Sequence, residues 1–239
     1  TQAMRTLTNE IEAEIGSKIN LGAGYAFGDG SLFNASGAEL NELAQARKIL
    51  VDGGCPTNDI SAVIDTVSGA RLRQVANLLQ AEQAGTADIR TQGILIPVFG
   101  VNVRESANLK AHTAGAQSGA DGTAIEPIGE TTIAFDGATV NTTGFQIGDV
   151  ITIGSQGTLY VIGAENTSTS GNLTLNAGVR AATADDDTIV TTASHTASAM
   201  FHRNAVELVM RAPAMPDGGD NADDVITVTD PHSGLVFNV

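Results

Sequence analysis

Apolar residues near the N-terminus recur at the spacing of an amphipathic helix. Five of them are separated by three or four positions: Met4, Leu7, Ile11, Ile15 and Ile19. This spacing places all five on one face of a helix and leaves glutamates on the rest of its surface. We predict a helix over residues 3–20, which the glycine-rich segment 22–30 ends because glycine favours loop conformations.

Four more elements are predicted before residue 111. Helical spacing followed by stop signals marks the helices, and runs of β-branched residues mark the strands. They are helices at 39–51 and 69–83, a buried strand at 62–66, and a bent or two-part strand at 93–103. Pro97 and Gly100 interrupt the last of these strands.

In the middle third the apolar period changes from helical to two. Apolar residues alternate over 133–135 and 138–140, on either side of Asp136-Gly137, which predicts a tight hairpin. Further short strands are predicted at 149–153, 158–162, 173–175 and 188–191. Short strands at this spacing predict a small closed or sandwich-like β module.

The last third has an apolar segment, an acidic loop and two strands. They fall at 201–211, at 217–224, and at 225–229 and 235–239 with a turn at 230–234. Two strands cannot close a core alone, so we expect them to pack on the first third, beside the first helix. Residues 1–110 and 199–239 would then form one α+β domain, interrupted by a β-rich insert at 111–198.

Charge separates the insert from its flanks. The chain has 239 residues and a formal charge of −15, and residues 111–195 carry nine acids and one base. Neither nucleic acid nor an anionic membrane is expected as a direct partner, because both require clustered cations.

The segment 114–123 is rich in glycine and alanine and is predicted to be a flexible linker leading into the insert. The single cysteine, Cys55, cannot form an internal disulfide, which is typical of a reducing compartment.

Three patterns resemble catalytic motifs but lack a required residue or context. They are the glycines at 22, 24 and 28, the Asp65-Thr66 pair, and the segment 154–157. The glycines end a helix, whereas a dinucleotide-binding loop opens one. Val67 stands where an aspartic protease needs glycine, and Ser155 lacks the Gly-x-Ser-x-Gly spacing. We therefore predict no catalytic residue, no cofactor site and no enzyme activity.

No metal site is predicted. The four histidines have no pair at i, i+4 spacing: His112, His195, His202 and His232. Two acidic clusters contain oxygen ligands that a hard cation such as calcium would accept: 185–187, and Asp217, Asp220, Asp223 and Asp224. Neither fits the EF-hand spacing, and acidic runs in loops are usually solvated.

Four stretches resemble segments of tailed-phage major capsid proteins of the P22 coat-like group, which have the HK97 fold. Residues 4–16 resemble the spine helix, and 44–72 resemble the helix, loop, strand and helix of the axial domain. Residues 90–106 resemble the segment that returns to the central sheet, and 199–216 resemble the return into the peripheral domain. The insert occupies the position of that group's β domain. Residues 148–153 resemble a recurrent strand of that domain.

The resemblance implies a non-enzymatic virion protein without cofactors. Copies of such a subunit associate into hexamers and pentamers of an icosahedral shell around packaged DNA, assembled in the bacterial host cytoplasm. Scaffolding and portal proteins are the further partners that the family suggests. Two alternatives stay open: an encapsulin-like cellular shell protein, and an extracellular β-rich tail or adhesin module that binds calcium or glycans.

Capsid proteins of this fold place an N-terminal arm and an extended loop before the spine helix, whereas this chain begins at Thr1, almost at the helix. We expect it to be a processed or shortened form of a longer protein. The 239-residue form is then expected to stay monomeric or to form small oligomers. Residues 121–197 are expected to fold alone as a marginally stable module.

Overall fold

The computed structural model describes residues 2–34, 39–80, 85, 88–139, 143–209, 227–230 and 234–238. Within these ranges the chain is mixed α/β, and its sheets are mostly antiparallel. The α-helices are α1 (Gln2–Gly22), α2 (Asn41–Asp52), α3 (Thr66–Leu72), α4 (Ala76–Leu79) and α5 (Asp88–Gln92). A 3-10 helix spans Arg203–Ala205.

Fourteen strands lie in the described ranges. Those of the first half are β1 (Tyr25–Ala26), β2 (Ile60–Ile64), β3 (Val101–Glu105), β4 (Ala111–His112), β5 (Ala120–Gly122), β6 (Thr132–Asp136) and β7 (Val150–Ile153). Those of the second half are β8 (Leu159–Val161), β9 (Gly171–Thr174), β10 (Thr188–Thr191), β11 (His195–Thr196), β12 (Ala199–His202), β13 (Thr227–Thr229) and β14 (Val236–Asn238).

A three-stranded sheet is built from distant parts of the chain. Its order is β12-β2-β3, with β2 and β3 parallel and β12 antiparallel to β2. The parallel pair needs a crossover, which α3 to α5 supply. Alternate residues of β2 are buried, and helices α2 to α5 contribute further apolar side chains to the same core.

A seven-stranded antiparallel sheet forms the second core. Its order is β1-β8-β7-β10-β5-β6-β9. Its fully buried side chains include two aromatic rings, Phe135 and Phe145, which meet edge to face with centroids 5.5 Å apart. A ribbon of β4 and β11 joins the chain where it enters and leaves this sheet.

The helical predictions for α1 and α2 are confirmed. Along α1 the residues at 11, 15 and 19 are half-buried, and only Gly16 is buried completely. Leu109 explains the glycine, because a Cβ at position 16 would lie 3.2 Å from its Cδ2. The α1 face therefore packs less deeply than its apolar period alone suggests.

The strand predicted at 62–66 lies two residues earlier, as β2. Asp65 ends it and caps α3, because its carboxylate accepts the N–H groups of Val67 and Ser68 at 3.2 Å each. The helix predicted at 69–83 therefore begins earlier, at Thr66, and it stops at Leu72 before the short helix α4. Residues 81–84 lie outside the described residues.

The strand predicted at 93–103 is reduced to its last part. A tight turn closed by Val98 and Val101 precedes β3, and Phe99 and Gly100 both have positive φ in that turn. Before residue 111, the structure also adds two elements that the pattern did not predict, α5 and β1. The latter lies within the loop segment 22–30 and pairs with β8.

The predicted hairpin at Asp136-Gly137 is wrong. Strand β6 pairs with β5 and β9, which come from before and after the supposed hairpin. Ala138 donates its N–H to the carbonyl of Thr169, and Thr139 donates its N–H to Ser118. Gly137 still has a positive φ of 67°, so the dipeptide makes a turn without returning the chain as a neighbouring strand. Val140 lies outside the described residues.

The flexible linker predicted at 114–123 is also wrong. This segment contains β5, and Gln117 and Ala120 within it are buried. Its small residues allow close packing against the sheet instead of providing flexibility. The remaining strands of the insert, β7 to β10, are confirmed with ends shifted by at most two residues.

The C-terminal strands pair as predicted. Strands β13 and β14 are antiparallel and form a two-stranded sheet of their own, and Phe237 of β14 is buried. Their packing beside the first helix stays a prediction. The segment predicted at 201–211 begins as β12 and continues as the 3-10 helix. The acidic loop 217–224 lies outside the described residues.

Candidate functional site

The residues that could carry chemistry are dispersed. Within the described ranges, no three or more His, Cys, Asp or Glu side chains come together as a metal site would require. His195 and His202 each contact nearby backbone, Ala193 O at 2.7 Å and the Asn204 N–H at 3.3 Å. His232 and the aspartates of 217–224 lie outside the described residues.

The three motif-like patterns serve structural purposes in the described chain. Asp65 is the N-cap of α3. Gly24 leads into β1, and a Cβ there would come within 2.7 Å of Ala177, so its small size permits a close approach of two segments. Gly154 has a φ of 52° and turns the chain at the end of β7.

A set of well-connected polar side chains lies where the seven-stranded sheet meets the β4–β11 ribbon and the C-terminal ends of α1 and α2. We call this region the junction and define it by His112, Asp149, Asn176, Arg180 and His195. His112 and His195 are opposite each other on the β4–β11 ribbon, with ring centroids 6.2 Å apart. The other three residues belong to the seven-stranded sheet or its loops and contact segments outside it.

Asp149 is the centre of the first set of contacts. Its side chain is completely buried, and its carboxylate lies 2.7 Å from Nε2 of His112. It also accepts N–H groups from Gly115 at 3.1 Å and Gln146 at 2.8 Å. A buried carboxylate is tolerated when its oxygens are satisfied in this way. Asp149 therefore holds the ribbon, the segment after it and the start of β7 together.

Arg180 joins the seven-stranded sheet to α2. Its Nη2 donates to the carbonyl of Ile49 at 2.9 Å, and Nη1 lies 3.9 Å from Asp52. Its guanidinium carbon stands 4.1 Å from the centroid of the Tyr25 ring. A cation is favourable at the C-terminal end of a helix, where carbonyl groups lack partners.

Asn176 makes the corresponding contact with α1. Its Nδ2 donates to the carbonyls of Leu21 at 2.7 Å and Ala23 at 2.9 Å. The loop from 175 to 180 thus caps the C-terminal ends of two helices. Tyr160 supports this loop from the buried side, because its hydroxyl accepts the Arg180 N–H at 3.0 Å and donates to Gln156 at 2.6 Å. Burial raises the pKa of Tyr160.

Sequence reasoning did not select any residue of the junction as functional. Arg180 had the clearest signal, since it is the one base among residues 111–195. A lone cation in a strongly acidic segment is a candidate for a specific contact. Asp149 and Asn176 gave no comparable signal, because acids and amides are common near strand ends and in turns.

A cleft of about 1060 Å³ lies beside the junction. Its walls come from the end of α1, the segment 22–33, α2 and β12, and they are mainly apolar. Arg180, His112 and His195 contribute to the lining, together with Glu14 and Lys18. Among the described lining residues, no nucleophilic side chain is positioned beside a general base. The geometry of the cleft therefore does not indicate a reaction.

A like-charge pair marks the far side of the seven-stranded sheet. Asp121 and Asp136 are direct cross-strand neighbours on β5 and β6. The pKa of Asp136 is raised, first by its side-chain hydrogen bond with Asp121, then by desolvation and by repulsion from Asp121, Asp186 and Asp185. Like charges opposite each other destabilise a sheet.

Asp136→Asn is expected to raise the melting temperature at neutral pH. The folded state binds the Asp136 proton more tightly than the unfolded state, so protonation contributes stability below the ordinary pKa of 3.8. That contribution is lost as pH rises through the higher pKa of the folded state. The advantage of Asp136→Asn should therefore grow from acidic to neutral pH in thermal unfolding curves. Asp29→Asn, at an exposed turn, is the control, and an equal gain there would contradict the assignment.

Comparison with known proteins gives a weak structural likeness. No protein-family model matches the chain, and no curated protein matches it. A solved structure from Mycobacterium phage Che8 is similar, with a TM-score of 0.38 and 18% sequence identity. The similarity covers 79% of this chain and 59% of that chain, so this chain spans less than two thirds of the phage protein's length.

No helix in the described part of the chain combines the length and the apolar character that a membrane span requires.

Proposed function

We propose that this chain is a structural protein of a virus shell, the major capsid subunit of a tailed phage, and that it acts by self-association. The proposal includes the HK97-like fold with an inserted β domain, and a place in the virion. It starts from the four sequence stretches that resemble the P22 coat-like group in the same order along the chain.

The observation that carries the proposal is the return of the chain after the insert. Strand β12 pairs with β2, in the sheet that already contains β3, with Ala199 opposite Val63 and His202 opposite Ile60. Residues 60–64, 101–105 and 199–202 therefore share one sheet, although six strands of the seven-stranded sheet lie between β3 and β12 in sequence. A core interrupted by a β module is the layout that the resemblance implies for a coat protein of this group.

The junction supports the same function. A shell subunit must keep its insert in a fixed orientation while neighbouring subunits press on it. Arg180 and Asn176 attach the insert to the ends of α2 and α1, and Asp149 fastens the ribbon through which the chain enters and leaves. The polar side chains of the junction therefore hold the insert against the ends of α1 and α2, which is a structural role.

Charge gives a further argument. A container for DNA benefits from walls that do not bind phosphate, and a chain of charge −15 satisfies this. Net charge of one sign also opposes nonspecific aggregation, so association would depend on shape-matched and locally uncharged surfaces.

Expression of the protein from its own gene tests the proposal. Negative-stain electron microscopy and light scattering are expected to show closed, uniform particles. Nuclease-protected DNA in particles from infected or induced cells would support the phage capsid, whereas particles filled with a cellular protein would favour the encapsulin-like alternative. A product that remains monomeric at high concentration, with or without co-expressed neighbouring genes, would contradict a shell function.

A further inference from the structure

An exposed apolar loop projects from the seven-stranded sheet. We call residues 124–130 the tip loop. Its Ile125 and Ile128 side chains are 71% and 70% exposed, and Pro127 between them is exposed as well. Single exposed apolar residues are ordinary on a protein surface, but two large ones on either side of a proline form a continuous apolar patch.

Backbone contacts hold the tip loop in place. Gly129 donates its N–H to Val179 O at 2.8 Å, and Val179 donates its own N–H to Glu130 O at 2.9 Å. Thr183, which is buried, accepts the Glu126 N–H at 2.8 Å and donates its hydroxyl to Ala124 O at 3.1 Å. A loop held at both ends exposes its isoleucines in one conformation. Binding to such a preorganised surface requires little further ordering.

The fully exposed residues of the tip loop are all uncharged. Its exposed residues are Ile125, Pro127, Ile128 and Gly129. The two acids of the loop are half-buried, and Glu130 accepts the N–H groups of Thr131 and Thr132 through Oε1. In a chain of charge −15, a patch whose fully exposed residues are uncharged lets a second negatively charged molecule approach with less repulsion than an acidic surface does.

We propose that the tip loop is a contact between copies of this chain, with Ile125 and Ile128 buried against the second copy. The inference rests on the proposed self-association and names the surface that performs it. A second copy fits this patch better than other partners do. The patch lacks the cations that nucleic acid or lipid headgroups require, and a basic protein would favour the acidic parts of the surface.

Ile128→Asp tests the contact by placing a charge in it. Self-association of the protein expressed from its own gene, measured by sedimentation or mass photometry, is expected to weaken about tenfold or more. The melting temperature should not change, because position 128 is exposed. Val67→Asp is the matched control, since Val67 is 56% exposed, lies outside the tip loop and stands in the first turn of α3, which favours a negative charge. Ile128→Val should associate like the wild type.

A photoreactive residue at position 128 locates the partner directly. Cross-linked peptides that join two copies are expected, and cross-links confined to one copy would overturn the inference. Closed particles that form equally well with Ile128→Asp would also overturn it while leaving the shell function intact. Conversely, cross-linked pairs from a protein that never forms closed particles would support the tip-loop contact and count against the shell.

Discussion

Gly115→Ala is expected to destabilise the protein by about 3 kcal/mol or more, a large loss for a single methyl group. A Cβ at this position would overlap the carbonyl of Gly144 and would lie 2.8 Å from Oδ2 of Asp149. The obstacle at Gly144 is backbone, which cannot rotate away. The substitution would also displace the Gly115 N–H from the buried carboxylate that accepts it.

Gly157→Ala is the matched control. No atom lies within 4 Å of a Cβ at position 157, and its φ lies outside the left-handed region. Urea and thermal unfolding should therefore show a strong loss for Gly115→Ala and almost none for Gly157→Ala. Equal stability of the two variants would show that residues 114–123 behave as the flexible linker that their composition predicts, and would contradict the packing described above.

The elements that the sequence predicts correctly are those that local periodicity determines. In α1 and α2, most of the apolar residues that set the predicted spacing are buried or half-buried, among them Ile11, Ile15 and Leu43. The spacing of side chains along a single helix or strand is enough to define that face. These elements required no knowledge of which distant segment they contact.

The hairpin prediction failed because strand pairing is not local. Asp136-Gly137 has the residues of a tight turn, and Gly137 does have positive φ. The partners of β6 are nevertheless β5 and β9, and the Ile133 and Phe135 side chains of β6 are buried in the core of the seven-stranded sheet. The pairing of β6 therefore depends on burial across the whole sheet. The Asp136-Gly137 dipeptide does not indicate which strands are paired.

The linker prediction failed for a related reason. A glycine is compatible with freedom in a loop and with close contact in a core, and composition does not distinguish the two. At Gly115 the second explanation applies, because Gly144 and Asp149 occupy the space that a side chain would need. The same ambiguity explains why β1 was not predicted within the glycine-rich segment 22–30. Its two residues form the edge of a sheet by pairing with β8, which lies more than a hundred positions later in the chain.

The contacts of the junction were beyond sequence analysis because each joins residues far apart in the chain. Arg180 and Ile49 are separated by 131 positions, and Asn176 and Leu21 by 155. Their geometry also bears on the expected autonomy of residues 121–197. The sheet of that module includes β1 and Ala120, and Asp149 takes a hydrogen bond from Gly115, so a fragment that begins at 121 lacks parts of its own core.

Asp149→Ala is expected to lower the free energy of unfolding by about 3 kcal/mol or more, because a buried donor left without its acceptor costs about 1–3 kcal/mol and this substitution affects two backbone N–H groups and His112 together. The substitution leaves the N–H groups of Gly115 and Gln146 without their acceptor and removes the hydrogen-bond partner of His112 at a carboxylate that is itself completely buried. Asp149→Asn should lose less, since it keeps one acceptor oxygen and the volume of the side chain.

Two comparisons make this result specific to the junction. Asp29→Ala removes a carboxylate that accepts a single N–H, from Ser31 at 3.0 Å, on the surface, so it should change the unfolding free energy by less than about 1 kcal/mol. In the double variant Asp149→Ala, His112→Ala, the loss should be smaller than the sum of the two single losses, because the histidine has already lost its partner. Additive losses, or an Asp149→Ala protein as stable as Asp29→Ala, would mean that the carboxylate does not fasten the ribbon to the sheet. The insert would then be held in place by Arg180 and Asn176 alone among the junction contacts.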